Sequence, residues 1–151
     1  TVRVHSSCLT GDLMGSQKCD CGYQLETALD YMSKSKNMGI LIYLNQEGRG
    51  LGIHNKIISY NIQEKGWDTY QADNILGFSG DERDYKAAAE ILKFFEIKKL
   101  NLITNNPEKV EYLKKNKITV NKMIKIKPGI NPHNKKYLET KKIIGKHLLN
   151  L

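Results

Sequence analysis

The segment Met38-Gly-Ile-Leu-Ile-Tyr-Leu-Asn-Gln-Glu-Gly-Arg-Gly-Leu-Gly52 joins a short apolar run to a glycine-rich turn. Residues 38–44 of this segment are almost all apolar, which predicts a buried strand. The turn at Gln46–Gly52 leads into a helix that we expect to extend to about Glu64 and to stop at Gly66. A buried strand, a tight turn and a helix in that order are typical of an α/β fold.

The same alternation continues on both sides of this unit. Short apolar patterns predict a strand at Val2–His5 and another at Leu100–Ile103. Apolar residues at helical spacing predict a helix at Gln24–Met32 and a second helix that ends near Phe95. A third helix is expected to begin at Pro107, because proline is well suited to the first turn.

The alternation predicts one α/β domain over residues 1–151, in which helices pack on a mixed sheet that is at least partly parallel. Residues 131–151 are polar and basic, and we expect a C-terminal tail that is either mobile or an arm for a partner. The leucines that close the chain favour docking of this end. The chain opens at Thr1 directly in an alternating strand pattern, so we expect an upstream segment to be missing.

Composition limits the class of protein. Of the 151 residues, 40% are hydrophobic and 26% are charged, as in ordinary globular domains, and the apolar runs are too short to cross a bilayer. The net charge of +8 favours an anionic partner such as nucleic acid, acidic lipid or a phosphorylated small molecule, although dispersed lysines are also typical of a solvated surface. With three clustered cysteines and no signal peptide, we expect a cytoplasmic protein without a membrane partner.

The three cysteines lie close together in His5-Ser-Ser-Cys8-Leu-Thr-Gly-Asp12 and Ser16-Gln-Lys-Cys19-Asp-Cys21. Thiolates in one loop can supply three of the four ligands of a tetrahedral zinc ion. A catalytic zinc site would leave the fourth position to water, and a structural site would be closed by a fourth protein ligand, for which His5 is the candidate. The spacing is also compatible with three buried thiols that bind no metal.

Three further segments are candidates for ligand binding. The glycine-rich turn can approach an anion closely and carries Arg49, although an ordinary tight turn has the same pattern. The segment Asp81-Glu-Arg-Asp84 is either a reactive cluster or a capped helix start with surface ion pairs. The turn at Thr104–Pro107, followed by Lys109, comes at the end of a buried strand, where α/β folds usually bind ligands.

Taken together, these motifs resemble the GTP cyclohydrolase II family in their order and spacing. The segments that carry the resemblance are the two cysteine motifs, the glycine-rich turn, Asp81–Tyr85, Leu102–Pro107, Asn131–Lys141 and His147–Leu149. The resemblance covers nearly the whole chain, but the family's amino-terminal portion has no counterpart. The chain departs from the family where it has Ser7 for Glu, Asp73 for Asn and Asn45 for Arg.

The resemblance implies a reaction and its cofactors. Zn²⁺ held by Cys8, Cys19 and Cys21, with water as the fourth ligand, would open the guanine ring of GTP at C8, with release of formate and pyrophosphate. The product would be 2,5-diamino-6-(5-phosphoribosylamino)pyrimidin-4(3H)-one, at the first step of riboflavin biosynthesis. Mg²⁺ is expected on the GTP phosphates. The family acts as a homodimer, and fusion to another riboflavin-pathway domain upstream is left open.

The resemblance also implies roles for particular residues. Asp81 would accept a proton, and Arg83 would act either as the nucleophile on the α-phosphorus or as a stabiliser of phosphoryl charge. Tyr60 would assist at the ring, or else it is a helix aromatic that faces the core. The residues expected to contact GTP are Arg3, Val4, His5, Ser6, Ser7, Gln24, Glu47, Gly48, Arg49, Thr69, Thr104 and Lys109.

Two other hypotheses fit parts of the sequence. A small zinc module that binds nucleic acid would use the thiols and a lysine-rich surface, but it would not need Asp81, Arg83 or the glycine-rich turn. A catalytically silent half of a fused riboflavin enzyme would not be expected to keep those residues together with the cysteines. We therefore expect GTP, and not nucleic acid, as the partner.

Overall fold

The computed structural model of the protein describes residues 1–79 and 81–151. Its centre is a sheet of four strands, β1 (Val2–Ser6), β2 (Ile40–Leu44), β3 (Lys99–Ile103) and β4 (Thr119–Ile124), in the order β2-β1-β3-β4. The α/β class is confirmed, and the described pairings are all parallel, so the sheet is parallel rather than mixed. Helices lie between successive strands. Each helical crossover returns the chain to the edge of the sheet at which the strands begin, as parallel pairing requires.

The helices occur largely where helical spacing predicts them. Their bounds are α1 (Cys21–Ser33), α2 (Gly52–Glu64), α3 (Thr69–Ile75), α4 (Lys86–Phe94), α5 (Pro107–Lys115) and α6 (Lys135–Ile143). A short π-helical turn at Leu9–Leu13 and a 3₁₀ turn at Glu47–Gly50 lie in the loops that follow β1 and β2. The first turn lies between Cys8 and Cys19, and the second lies within the glycine-rich segment.

Strand β4 and the helices α3 and α6 are not predicted from the sequence pattern. Strand β4 is an edge strand with polar residues and largely exposed side chains, so it lacks the apolar run of a buried strand. Helix α3 begins after Asp68, whose carboxylate accepts hydrogen bonds from the backbone N–H groups of Tyr70 and Gln71. Asp68 and Gln71 form a capping box, which is a start signal that the sequence does contain.

Helices cover both faces of the sheet, because alternate strand residues point to opposite sides. On one face, Val4 of β1 packs in a core with Leu92 of α4 and Leu113 of α5. On the other face, Ile103 of β3 packs with Ala28 of α1. This second face is the one that also receives the polar side chains of β1, next to α1.

The C-terminal part of the chain is folded onto this body. Helix α6 buries Leu138 completely, and the chain beyond the helix buries Leu149 to 3% exposure, whereas Leu151 is exposed. The backbone N–H of Leu148 donates to the carbonyl of Asn105, which follows β3. The end of the chain therefore docks, as its leucines suggest. Among the described residues, no helix has the length and apolarity needed to cross a membrane.

Candidate active site

The three cysteines form one cluster. Cys8 follows β1 and Cys21 begins α1, and the three Sγ atoms all lie within 4.8 Å of one another, with 3.6 Å between those of Cys8 and Cys19. Gly11 permits this approach, because a β-carbon there would lie 2.8 Å from the Cys19 Sγ. Three sulfurs bound to one tetrahedral zinc at about 2.3 Å would be separated by roughly 3.8 Å. The cluster therefore has the spacing of a thiolate metal site.

The chain around the thiols holds them in place. The carboxylate of Asp12 accepts hydrogen bonds from the backbone N–H of Cys8 (3.0 Å) and the hydroxyl of Tyr43 (2.7 Å). Lys56 donates from Nζ to the Cys8 Sγ (3.0 Å) and to Glu47 Oε1 (2.7 Å). Hydrogen bonds from the neighbouring thiols, supported by Lys56, lower the pKa of Cys8. The cluster therefore has one thiol that ionises readily.

His5 has other partners. Its Nδ1 lies 3.2 Å from a guanidinium nitrogen of Arg3, which can only donate, so Nδ1 is the acceptor and Nε2 carries the proton. Nε2 then donates to the carboxylate of Asp12 at 3.2 Å. Among the described residues, the group of potential metal ligands contains the three cysteines and not His5. This geometry argues against a structural site that His5 would close.

A cavity opens beside the thiols. Tyr60 reaches it from α2, where its hydroxyl lies 3.2 Å from Thr10 Oγ1. Glu47 also lines it, but the Glu47 carboxylate already accepts hydrogen bonds from Lys56 and from the backbone N–H groups of Leu9 and Gly48. Ser7 lines the same cavity, and its hydroxyl is buried with no hydrogen-bond partner among the described residues. This first cavity is called the thiol cavity below.

A second cavity adjoins the first and is lined by cations. Its basic side chains are Arg3, Arg49, Arg83, Lys109 and Lys141, and His147 lies with them. No carboxylate side chain lines it in the part of the chain that the structure describes. The two cavities share Ser6, Cys21, Arg49, Arg83 and Tyr137. This second cavity is called the basic cavity below.

Two cations of the basic cavity are buried against neutral groups. Arg3 is 5% exposed and donates to the carbonyl of Ile103 and to the side chain of Gln24. Lys109 is 7% exposed and donates to the carbonyl of Val4 at 2.8 Å. Burial lowers the pKa of both side chains. Because buried charges are costly without a partner of opposite sign, the arrangement is suited to an anionic ligand.

The glycine-rich turn brings Arg49 close to Arg83, and both line the two cavities. Arg49 donates to Asp73 (2.7 Å) and to Thr69 (2.6 Å). Gly50 has a φ of 90°, and a β-carbon there would lie 3.1 Å from the β-carbon of Glu82, so the turn can lie against the segment that carries Arg83. The backbone N–H of Glu82 also donates to the carbonyl of Arg49.

Asp81 and Arg83 form a two-point ion pair. Arg83 donates from Nε to one carboxylate oxygen of Asp81 (2.8 Å) and from Nη2 to the other (2.5 Å). Burial alone would raise the pKa of Asp81, but the hydrogen bonds from Arg83 outweigh burial and lower it. Burial alone would lower the pKa of Arg83, but the bond to Asp81 raises it. The guanidinium is therefore firmly protonated and fixed in its plane.

Most of the residues expected to contact GTP line one of the two cavities. Those in the thiol cavity are Ser6, Ser7, Glu47, Gly48, Arg49 and Thr69, and those in the basic cavity are Arg3, His5, Ser6, Gln24, Arg49, Thr104 and Lys109. Val4 is different, because its side chain is buried in the core and only its carbonyl faces Lys109. Tyr60 lines the thiol cavity and Arg83 lines both cavities, while Asp81 is tied to them through Arg83.

Sequence reasoning missed several residues of the site. Lys56 lies one helical turn before Tyr60, so the spacing of four residues on α2 was a signal that both face the same cavity. Asp12 belongs to the cysteine motif itself, but its role as an acceptor for three groups is not visible in the spacing. Tyr137, Lys141 and His147 come from C-terminal segments that carry the family resemblance but contain no pattern that assigns these three side chains to a cavity.

The fold and the site define an α/β protein with a parallel sheet. At one edge of this sheet, a cluster of three thiols with the spacing of metal ligands lies beside a cavity lined by cations. The model of the GTP cyclohydrolase II family matches residues 1–125. The chain is 52% identical over 149 residues to the GTP cyclohydrolase-2 of Helicobacter pylori strain P12, covering 98% of this chain and 75% of that protein. It is 49% identical over 149 residues to the GTP cyclohydrolase-2 of Blochmanniella floridana, covering 99% and 74%. The chain belongs to the GTP cyclohydrolase II family.

Proposed function

We propose that this chain catalyses the zinc-dependent hydrolysis of GTP at the first step of riboflavin biosynthesis. The guanine imidazole ring is opened, formate and pyrophosphate are released, and 2,5-diamino-6-(5-phosphoribosylamino)pyrimidin-4(3H)-one is formed. The observation that carries the proposal is the direct contact between the thiol cavity and the basic cavity. One end suits a metal and the other suits a polyphosphate, as a reaction at both ends of one nucleotide requires. Membership of the family supports the same reaction.

The proposed zinc ligands are Cys8, Cys19 and Cys21. Their sulfur spacing fits a zinc ion, and neighbouring thiols and burial raise the pKa of Cys21. A bound divalent cation would neutralise the repulsion between the three thiolates, so these sulfur ligands fit the metal. When bound, zinc supplies Lewis acidity and makes a coordinated water acidic enough to lose a proton near neutral pH.

The protein's own side chains bind and orient the substrate in this proposal. The guanine ring lies in the thiol cavity, where Tyr60 and Ser7 offer hydroxyls to its polar edge. The phosphates lie in the basic cavity, where Arg3 and Lys109 meet them as buried cations. Among the described residues, neither Arg3 nor Lys109 forms an ion pair with a carboxylate, so a phosphate displaces no such pair and its binding is favoured.

Arg83 is assigned to the stabilisation of phosphoryl charge. A guanidinium whose pKa is raised further by Asp81 is a poor nucleophile, because it must lose a proton before it can attack. The two-point bond to Asp81 instead holds the guanidinium plane at the junction of the two cavities. There it can face the bond between the α-phosphorus and the leaving pyrophosphate.

Three further properties belong to the proposal. Mg²⁺ accompanies the GTP phosphates, since magnesium is usually held by phosphate oxygens and water. The chain acts as a homodimer, for which the exposed side chains of Phe94 (81%) and Phe95 (65%) are candidate contact residues. The protein works in the cytoplasm, where the three free thiols stay reduced.

The test incubates the purified chain with GTP, Zn²⁺ and Mg²⁺ and assays formate and pyrophosphate separately. We expect both products from the wild-type chain, and ATP in place of GTP serves as the specificity control. Exposed Lys142 gives a matched surface variant, Lys142→Gln, which should keep full activity. The proposal is wrong if GTP is not consumed by zinc-loaded protein, or if salt-sensitive binding of nucleic acid is the only activity found.

A further inference from the structure

The C-terminal segment, defined here as residues 134–149, is built into the fold. Asn134 is fully buried and donates to the carbonyls of Gly129 (2.7 Å) and Cys19 (3.4 Å). Leu138 and Leu149 are buried, and Leu148 is bonded through its backbone to Asn105. The segment is thus anchored at one end to the cysteine loop and at the other end to the turn that follows β3.

Three side chains of the C-terminal segment reach the cavities. Tyr137 lines both the thiol cavity and the basic cavity, so it lies at their junction. Lys141 and His147 line the basic cavity, together with Arg3 and Lys109. The matched range of the family model ends at residue 125, so these three side chains lie beyond it.

Lys141 has donors left for a ligand. Its Nζ lies 3.5 Å from Asp20 Oδ1, which is longer than the usual 2.7–2.9 Å of a charge-assisted hydrogen bond. The Lys141 ammonium also lies over the Tyr137 ring, 5.7 Å from its centre. An ammonium group has three N–H donors, and among the described residues one long ion pair and one cation–π contact do not use them all. The Lys141 side chain is 16% exposed, so its charge is partly removed from water. A partly buried cation with unused donors, in a cavity that no described carboxylate side chain lines, is suited to a phosphate.

We propose that the C-terminal segment is a wall of the polyphosphate site, in which Lys141 and His147 contact the phosphate chain and Tyr137 lies where the phosphates meet the rest of the nucleotide. This inference rests on the proposed function for the identity of the nucleotide. It adds contacts from the end of the chain to those that the strand-end turns supply. The neutral His147 imidazole donates one N–H, and Lys141 supplies the charge.

The test measures the affinity of the whole chain for inorganic tripolyphosphate by calorimetry, together with the kcat and KM for GTP. Lys141→Gln and His147→Gln are compared with Lys142→Gln and His133→Gln, which make the same changes at exposed positions. We expect Lys141→Gln to weaken tripolyphosphate binding about tenfold or more and to raise the KM for GTP, because a charged hydrogen bond is lost. The two control variants should bind like the wild-type chain.

A purely structural role for Lys141 predicts a different pattern. If Lys141 only neutralises the buried Asp20, its loss lowers the melting temperature but leaves the affinity of the folded protein unchanged. Asp20→Asn separates the roles, since it removes the pair and keeps the ammonium. Under our proposal Asp20→Asn retains tripolyphosphate affinity, whereas loss of affinity there together with normal affinity in Lys141→Gln overturns it.

The outcomes remain distinguishable from a failure of the proposed function. Tripolyphosphate affinity that depends on Lys141, in a protein that does not turn over GTP, supports the wall and contradicts the GTP reaction. GTP turnover with equal tripolyphosphate affinity in Lys141→Gln and Lys142→Gln contradicts the wall alone. If Lys141→Gln does not fold, the proposal is tested instead by the tripolyphosphate affinity of His147→Gln and by amide hydrogen exchange of residues 134–149 in the wild-type chain. Protection of these amides by tripolyphosphate is expected, and its absence with unchanged affinity in His147→Gln overturns the proposal.

Discussion

Replacing Arg83 with alanine is expected to separate the two halves of the proposed reaction. The Arg83 side chain lies at the junction of the two cavities, while the thiol cluster lies at one end, so the change removes a cation without touching the thiols. We expect pyrophosphate release to fall far more than the metal content. Release of formate and of pyrophosphate should be followed separately with saturating GTP.

The size of the effect follows from what Arg83 does in the structure. Its guanidinium makes two side-chain hydrogen bonds to Asp81, and its side chain is 15% exposed. A fixed donor aimed at charge that develops in the transition state contributes roughly 10²–10³-fold in rate. We therefore expect Arg83→Ala to slow pyrophosphate release by about that factor, with Lys86→Ala as a control for loss of an exposed cation nearby.

Arg83→Lys distinguishes the two roles of the side chain. Lysine keeps the positive charge but can keep only one of the two side-chain bonds to Asp81, because it has no planar fork. Partial retention of pyrophosphate release supports charge stabilisation, and a trapped covalent adduct between the wild-type chain and the nucleotide supports the nucleophile. Wild-type pyrophosphate release in Arg83→Ala would refute both roles and leave Asp81–Asp84 as a capped helix start.

The remaining predictions concern metal, charge and pH. Cys19→Ser should abolish bound zinc and formate release, and full zinc occupancy in that variant by metal analysis would contradict the ligand set. Lys109→Met should raise the KM for GTP tenfold or more without lowering the melting temperature, since it removes a buried cation that has no carboxylate partner in the described part of the chain. Burial lowers the pKa of His147 to about 2. Below about pH 6.5 the unfolded chain therefore gains a proton at this residue that the folded chain does not, so the stability of the folded protein decreases as the pH is lowered. His147→Gln should flatten this dependence in thermal melts between about pH 4.5 and 6.5, and a slope like that of His133→Gln would contradict it.

The parts of the fold that the sequence predicts are those with a local signal. Strand β2 is an uninterrupted apolar run, and α5 begins with a proline after an asparagine cap, so neighbouring residues alone define them. Strand β4 has no such run, because an edge strand buries little and tolerates Asn121 and Lys122. Helix α6 has one fully buried anchor, Leu138, in an otherwise polar sequence, and a single buried residue gives no detectable periodicity.

The candidate site also has a part that local sequence predicts and a part that it does not. The three thiols are close in the sequence, so their spacing predicts a cluster. The contacts that complete the site are not local: Lys56 reaches Cys8 across 48 residues, and Lys109 reaches Val4 across 105. No spacing rule connects such pairs, because the order of the strands in the sheet brings them together. For the same reason, Lys141 gives no sequence signal of its place beside Arg3.

The order of the strands also accounts for the layout of the two cavities. Parallel strands end at one edge of the sheet, and β2, β1 and β3 are neighbours there. The glycine-rich turn leaves β2, the cysteine loop leaves β1, and the turn that precedes Lys109 leaves β3, so all three segments meet. The central strand β1 places Arg3 on the face toward α1, where Gln24 and a carbonyl receive it in place of a carboxylate. The fold thus keeps buried cations beside the thiol cluster at a cost to the unliganded protein, and the polyphosphate that we propose as the ligand would offset that cost.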